Sequence, residues 1–199
     1  MLKPADAAFP LDDAIRERWS PRGFAETPLT ASELGSLLEA FRWGPSASNG
    51  QPWRLIVGIK GQGDAWQRLY DALAPGNQSW CIRVPVLMVS VAVPTFRHNG
   101  SPNRHWQHDV GLASAQMAVQ ASSIGLAVHF MGGFDRDKVR AAFGVPEDHE
   151  PMAAIAAGRH PEPGTLPPAL ASRDEAPRSR LALNEIIFGG RWGEALPLG

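Results

Sequence analysis

The sequence predicts an α+β fold, one sheet with helices packed on it, in a single domain over residues 1–199. Three observations predict it. Helical and strand-like patterns are interspersed, without the regular alternation of a doubly wound sheet. Several helical patterns are longer than the strand patterns beside them. A chain of 199 residues is long enough for one substantial core and short for two. The glycines of "GIKGQGDAW" also lack the GxGxxG order of a dinucleotide-binding turn.

The elements follow in order. "TASELGSLLEAFRW" opens on Thr30, with Glu33 three residues on, which is a capping box. Leu34, Leu37, Leu38 and Phe41 then line one helix face. "LIVGI" (55–59) and "VPVLMVSVAV" (84–93) read as buried strands, with a helix over 64–73 between them. Residues 105–124 form a long helix crowded with Ala, Ser and Gly, expected deep in a core or an interface. Its stripe of Val110, Ala113, Ser114, Met117, Ala121 and Ile124 reads as more than one subunit can cover. "LAVHFMGG" (126–133) is a strand ending in paired glycines, and 135–144 is a short helix stopped by Gly144. "PMAAIAAG" (151–158) is a further strand, and "RLALNEIIF" (180–188) is a candidate last one. The Pro-rich stretch 160–178 reads as an extended linker.

Composition narrows the function. Apolar residues make up 44% and charged residues 20%, as in soluble globular proteins. A net charge of −1 offers no global basic field for nucleic acid. The one cysteine, Cys81, excludes an intrachain disulfide framework and fits a reducing compartment. No apolar segment is long enough to span a bilayer, and "MLKPADAAFPLDD" lacks a secretory h-region. A cytoplasmic location is expected. His105, His108 and Asp109 give H-x-x-H-D, but no third strong ligand is placed by sequence, so no metal is assigned. No G-x-S-x-G elbow occurs.

Three stretches carry chemistry. In "RERWSPRGF", Pro21 disfavours the α region at Ser20, so Arg18, Ser20 and Arg22 alternate on one side of an extended chain. Two guanidinium forks and a hydroxyl suit a phosphate; a solvated Arg-rich turn reads the same way. Arg178 and Arg180 again alternate around a serine, and four arginines surround one anion if the two stretches meet. In "GPSASNGQPWR", Pro45 and Pro52 deny regular pairing, while Ser46 and Ala47 allow close approach of a flat ligand. Asn49 and Gln51 offer amides suited to a uracil-like ring edge; the other reading is a rigid helix-to-strand connector. Gly132 and Gly133 can expose backbone N–H groups at a strand end, or simply make a turn.

Together these stretches resemble the nitroreductase family of FMN-dependent oxidoreductases, in order and over nearly the whole chain. "RWSPRGF" resembles its Arg-x-Ser-x-Arg/Lys motif, and "GPSASNGQPW" its Pro-Ser-x-x-Asn-x-Gln-Pro-Trp loop. "NQSWCIRVPVLMV" is similar to the segment before its central strand. The 108–134 stretch resembles its interface helix and Gly-Gly turn, and "PRSRL" its C-terminal phosphate contacts. The resemblance implies a mixed or antiparallel sheet flanked by helices, in an intertwined homodimer with flavins at the subunit interface. It implies Arg18, Ser20, Arg22, Arg178 and Arg180 around the FMN phosphate. It implies Pro45, Ser46, Ala47 and Asn49 as ring and ribityl contacts, often from the partner subunit. Asn77 would meet the polar ring edge, and Gly132 and Gly133 would lie near N5. Trp80, Trp106 and His98 are candidate walls of the substrate pocket. Many members have Lys where Trp80 stands and Glu where Gly132 stands. The implied activity is ping-pong hydride transfer from NAD(P)H to flavin, then to a small-molecule acceptor such as a nitroaromatic or quinone, with no catalytic side chain assigned. A different flavin reaction on the same scaffold, or non-catalytic flavin binding, is the alternative.

Overall fold

The structure, a computed structural model, describes residues 3–162 and 164–198. Four strands form one sheet: β1 (Trp53–Ile59), β2 (Val86–Ala92), β3 (Leu126–Met131) and β4 (Glu150–Arg159), in the order β1-β2-β4-β3. Every pairing is antiparallel. All seven residues of β2 are buried, because this strand is central and covered on both faces. Its alternation divides the core in two. Leu87, Val89 and Val91 face α3 (Ala65–Ala72), α4 (Pro75–Cys81) and α6 (Arg136–Phe143); Val86, Met88 and Ala92 face α2 (Ala31–Arg42) and α5 (Trp106–Ser123). Each large apolar side chain so buried contributes about 1.5–3 kcal/mol.

Local signals set most boundaries, beginning with the short α1 (Asp13–Glu17), where the Asp12 side chain accepts from Ala14 N. Thr30 and Glu33 form the expected capping box at α2. Asp135 caps α6, which ends at Gly144 in the left-handed region, φ 63°. Two glycines are needed where backbones meet. A Cβ on Gly58 would sit 2.6 Å from the Trp66 backbone, so α3 lies directly on β1; one on Gly44 would sit 2.7 Å from Ala113 Cα, against α5.

Three expectations are corrected. Residues 180–188 do not form a strand; α8 (Leu183–Ile186) forms instead, with the Glu185 side chain accepting from Ala182 N. Leu183, Ile186 and Ile187 recur at helical spacing, which outweighs their strand propensity. The 160–178 stretch is not wholly extended, because α7 (Pro168–Glu175) starts on a proline suited to a first helical turn. The α5 stripe is largely covered within one chain: Val110, Ala113, Met117 and Ala121 are buried against α2 and the sheet, and Ser114 and Ile124 are partly buried. The uncovered apolar surface lies elsewhere. Leu181, Leu183, Ile186, Ile187, Leu196 and Leu198 are exposed along the C-terminal arm, and Trp192 is 93% exposed.

Candidate functional site

The two basic stretches meet. Arg178 Nη1 donates to the carbonyls of Lys3 (2.6 Å) and Arg16 (2.8 Å), which ties the C-terminal arm to the N-terminal segment. Arg18, half-buried, lies near both Arg178 and Arg180. Burial first, then these two like charges, hold its guanidinium below the ordinary arginine range. Arg18 also donates weakly to Ser20 Oγ (3.4 Å). Among the described residues no carboxylate forms an ion pair with Arg18, Arg22, Arg178 or Arg180. Three arginines thus converge without an ion-paired acid among the described residues, although Asp6 lines the same cavity as Arg178 and Arg180. Arg22 stands slightly apart, with its charge acting on His129.

Two residues absent from the sequence-derived set hold this arrangement. Asp174, on α7 and 7% exposed, accepts from Arg22 N (3.0 and 3.2 Å) and Gly23 N (2.7 Å). His129, on β3, donates from Nδ1 to the Pro21 carbonyl (2.7 Å), with its ring 4.8 Å from that of Trp80. The arginine segment is therefore fastened along β3. Neither residue had a local signal: Asp174 lies in a Pro-rich stretch, and His129 is a lone histidine in an apolar strand.

Burial holds His129 below the ordinary histidine range, helped by the Arg22 charge and opposed by its carbonyl partner. His160, stacked on Trp19, is held low by burial too. The unfolded chain therefore takes up protons near pH 6.5 that the folded rings refuse until lower pH. Their contribution to stability is fully present above pH ~6.5 and is lost progressively as pH falls from that value through the lower range in which the folded rings take up protons. Denaturant midpoints measured between about pH 7.5 and 5.5 should fall, by at most ~1.4 kcal/mol per pH unit for each ring. His129→Gln should flatten that slope, and an unchanged slope would count against the assignment.

β3 runs on into Gly132 and Gly133, about 10 Å beyond His129 at ~3.3 Å per residue. Both glycines are exposed. The Gly133 carbonyl accepts from Ala74 N (3.0 Å) and Asn77 Nδ2 (2.9 Å), and a Cβ on Gly133 would lie 2.9 Å from Asn77 Nδ2. The arginines, the glycine pair and Asn77 accordingly share one edge of the sheet.

The 44–52 loop does not join them within one chain. It leads into β1, at the opposite edge. Three strand spacings of ~4.8 Å put it about 14 Å across the sheet, though the alternating directions bring it to the same end. Three non-glycine residues in this loop have positive φ: Ser48 (51°), Asn49 (51°) and Gln51 (47°). Such strain persists only where its surroundings enforce it, and it clusters at functional sites. Here Asp109, 2% exposed, accepts from Ala47 N (3.2 Å), while Ser46 Oγ accepts from Gln51 N (3.1 Å). Gln51 Nε2 donates to the Asn49 side-chain oxygen (3.0 Å).

The candidate pocket walls divide. Trp80 is corrected: at 1% exposure it lies in the core between Phe24 and His129, so it walls no open pocket. Trp106 is half-buried against the α2–α5 core, and His98 is exposed beside Phe96.

Fold and site together define a class: an α+β protein that gathers arginines, glycines and an amide at one sheet edge, groups suited to a flat ligand carrying a phosphate. The nitroreductase family model matches residues 15–79 and 59–159. A solved structure of an oxidoreductase containing FMN is 33% identical, with a TM-score of 0.87 over 94% of this chain and 95% of that one. A "Putative NADH dehydrogenase/NAD(P)H nitroreductase" of Xanthomonas oryzae pv. oryzae (strain PXO99A) is 28% identical over 68% of this chain and 78% of its own length. A 15.4 kDa protein of Mycolicibacterium smegmatis is 47% identical over 88 residues, which are 44% of this chain and 59% of that protein. The chain belongs to the nitroreductase family, and so to the oxidoreductases.

Proposed function

We propose that two copies of this chain bind FMN between them and use it to move electrons from NAD(P)H to a small acceptor, such as a nitroaromatic or quinone, in ping-pong order. The observation that carries this reading is the convergence of Arg18, Arg178 and Arg180, without an ion-paired carboxylate among the described residues, beside a segment that His129 fastens at Pro21 to the strand leading into Gly132-Gly133. Like charges gathered without a counterion, with Arg18 half-buried among them, repel one another unless an anion completes them. FMN, when bound, supplies the hydride chemistry.

The chain's own residues bind and orient. Arg18, Arg178 and Arg180, with Ser20, would hold the phosphate, and Arg22 would add charge beside them. Gly132 and Gly133 leave room for the ring to approach the strand end, and Asn77 presents an amide at its polar edge. Pro45, Ser46, Ala47 and Asn49 of the second copy would cover the ring, since in one chain that loop stands across the sheet. The exposed C-terminal arm supports a second copy as well, because an apolar surface of this extent calls for cover. The proton that accompanies reduction comes from water. No helix among the described residues is long and apolar enough to cross a membrane. The single buried thiol supports a cytosolic location.

Steady-state rates tests the order of events. NAD(P)H varied at several acceptor concentrations should give parallel double-reciprocal lines. Intersecting lines, or no bleaching of the flavin by either nucleotide under anaerobic conditions, would contradict the proposal.

A further inference from the structure

We propose that Arg97 and Arg104 form a cationic rim beside the strained loop and select an anionic redox partner, one that carries a phosphate or carboxylate. The inference rests on the flavin reading above and adds the chemical class of ligand that the site admits.

The rim is an ordered excursion between β2 and α5. Phe96 N donates to the Ser101 carbonyl (2.8 Å), Asn103 N to the Pro94 carbonyl (2.8 Å), and Thr95 pairs with Pro102. Asn103, buried, accepts from His105 N (2.9 Å). The excursion packs on the loop: a Cβ on Gly50 would lie 3.1 Å from Phe96 Cδ1. As a result, Arg97 and His98 share a groove with Ser48, Asn49 and Gly50. A neighbouring groove joins Pro45, Ser46 and Ala47 to His105 and His108. Arg97 thus lines the first groove beside the loop that would cover the flavin, and Arg104 immediately precedes His105, which lines the second.

The charge there is one-sided. From Val93 to His108 the sequence holds Arg97, His98, Arg104, His105 and His108 and no Asp or Glu, in a chain whose net charge is −1. Arg97 and Arg104 are exposed and, among the described residues, form no ion pair and no side-chain hydrogen bond. The adjoining carboxylate, Asp109, is buried, holding Ala47 N and facing His108 Nδ1 at 3.7 Å. It does not neutralise the rim. Neither arginine serves the fold through a bond that its loss would break. Their fields focus at the groove mouth, within a Debye length of about 10 Å, and favour whichever substrate brings negative charge there. A guanidinium fork then matches a phosphate or carboxylate directly.

Two sources share this chemistry: the 2′-phosphate of NADPH and a carboxylate on the acceptor. The test uses the FMN-loaded enzyme and its R97Q/R104Q variant. It compares kcat/KM for NADPH with NADH, and for 4-nitrobenzoate with the uncharged 4-nitrobenzamide. The variant should lose about tenfold toward the more anionic member of one pair while its less charged counterpart changes less than about twofold. The salt dependence of that loss should vanish with the arginines. A loss confined to NADPH assigns the rim to the reductant; one confined to nitrobenzoate assigns it to the acceptor. Equal losses within both pairs, or no loss in either, overturn the proposal. FMN content, read first, keeps the two levels apart. A colourless wild type overturns the flavin reading and the rim with it, whereas a yellow, active variant without altered selectivity overturns the rim alone.

Discussion

Arg18→Ala should weaken FMN binding about 10- to 150-fold while leaving the apo protein at least as stable as the wild type. The loss corresponds to about 1.5–3 kcal/mol for a charge-assisted bond. Riboflavin, which lacks the phosphate, should lose far less, so the preference for FMN over riboflavin should collapse. The stability half of the prediction comes from the cluster itself. Arg18 is partly desolvated beside two like charges and has no carboxylate partner among the described residues, so its removal relieves repulsion in the empty site. Opposite movement of affinity and stability marks a residue kept for ligand. Arg18→Lys should restore part of the charge without the fork. A titration in which FMN and riboflavin weaken equally, or a variant that melts well below the wild type, would make Arg18 a structural residue.

Asp174→Ala should destabilise the chain by about 3 kcal/mol and weaken FMN although Asp174 touches no ligand. It would leave two backbone donors, Arg22 N and Gly23 N, without their partner. The same side chain docks α7 where space is tight: a Cβ on Gly23 would lie 2.3 Å from Leu166 Cδ1 and 3.0 Å from Asp174 Oδ2. Loosening α7 frees the arm that carries Arg178 and Arg180, so FMN affinity should fall about tenfold with the three-arginine cluster dispersed. Denaturant midpoints and flavin titrations read the two effects. A variant within ~0.5 kcal/mol of wild type would show that the carboxylate is dispensable.

Much of this was legible before the structure. The capping box at Thr30, the apolar run around β2 and the Gly144 stop are local, and each formed where the residues indicated. The meeting of Arg18 with Arg178 and Arg180 depended on some 160 intervening residues, yet alternation around a serine marked both stretches in advance. The unread part is long-range. Trp80 reads as a pocket wall in sequence; only its packing between Phe24 and His129 shows that it lies in the core. The α5 stripe reads as surplus apolar surface because periodicity cannot say whether α2 or a second subunit will cover it. By spacing, Arg22 ranks with Arg18. The structure separates them, because Arg22 gives its backbone N–H to Asp174 and its charge to the vicinity of His129.

Flavin content and mass measured on the same purified sample test the central claim most directly. Sedimentation with absorbance near 450 nm should show a yellow particle of two chains carrying two FMN, which release on denaturation. A colourless monomer that takes up no added FMN would contradict the account.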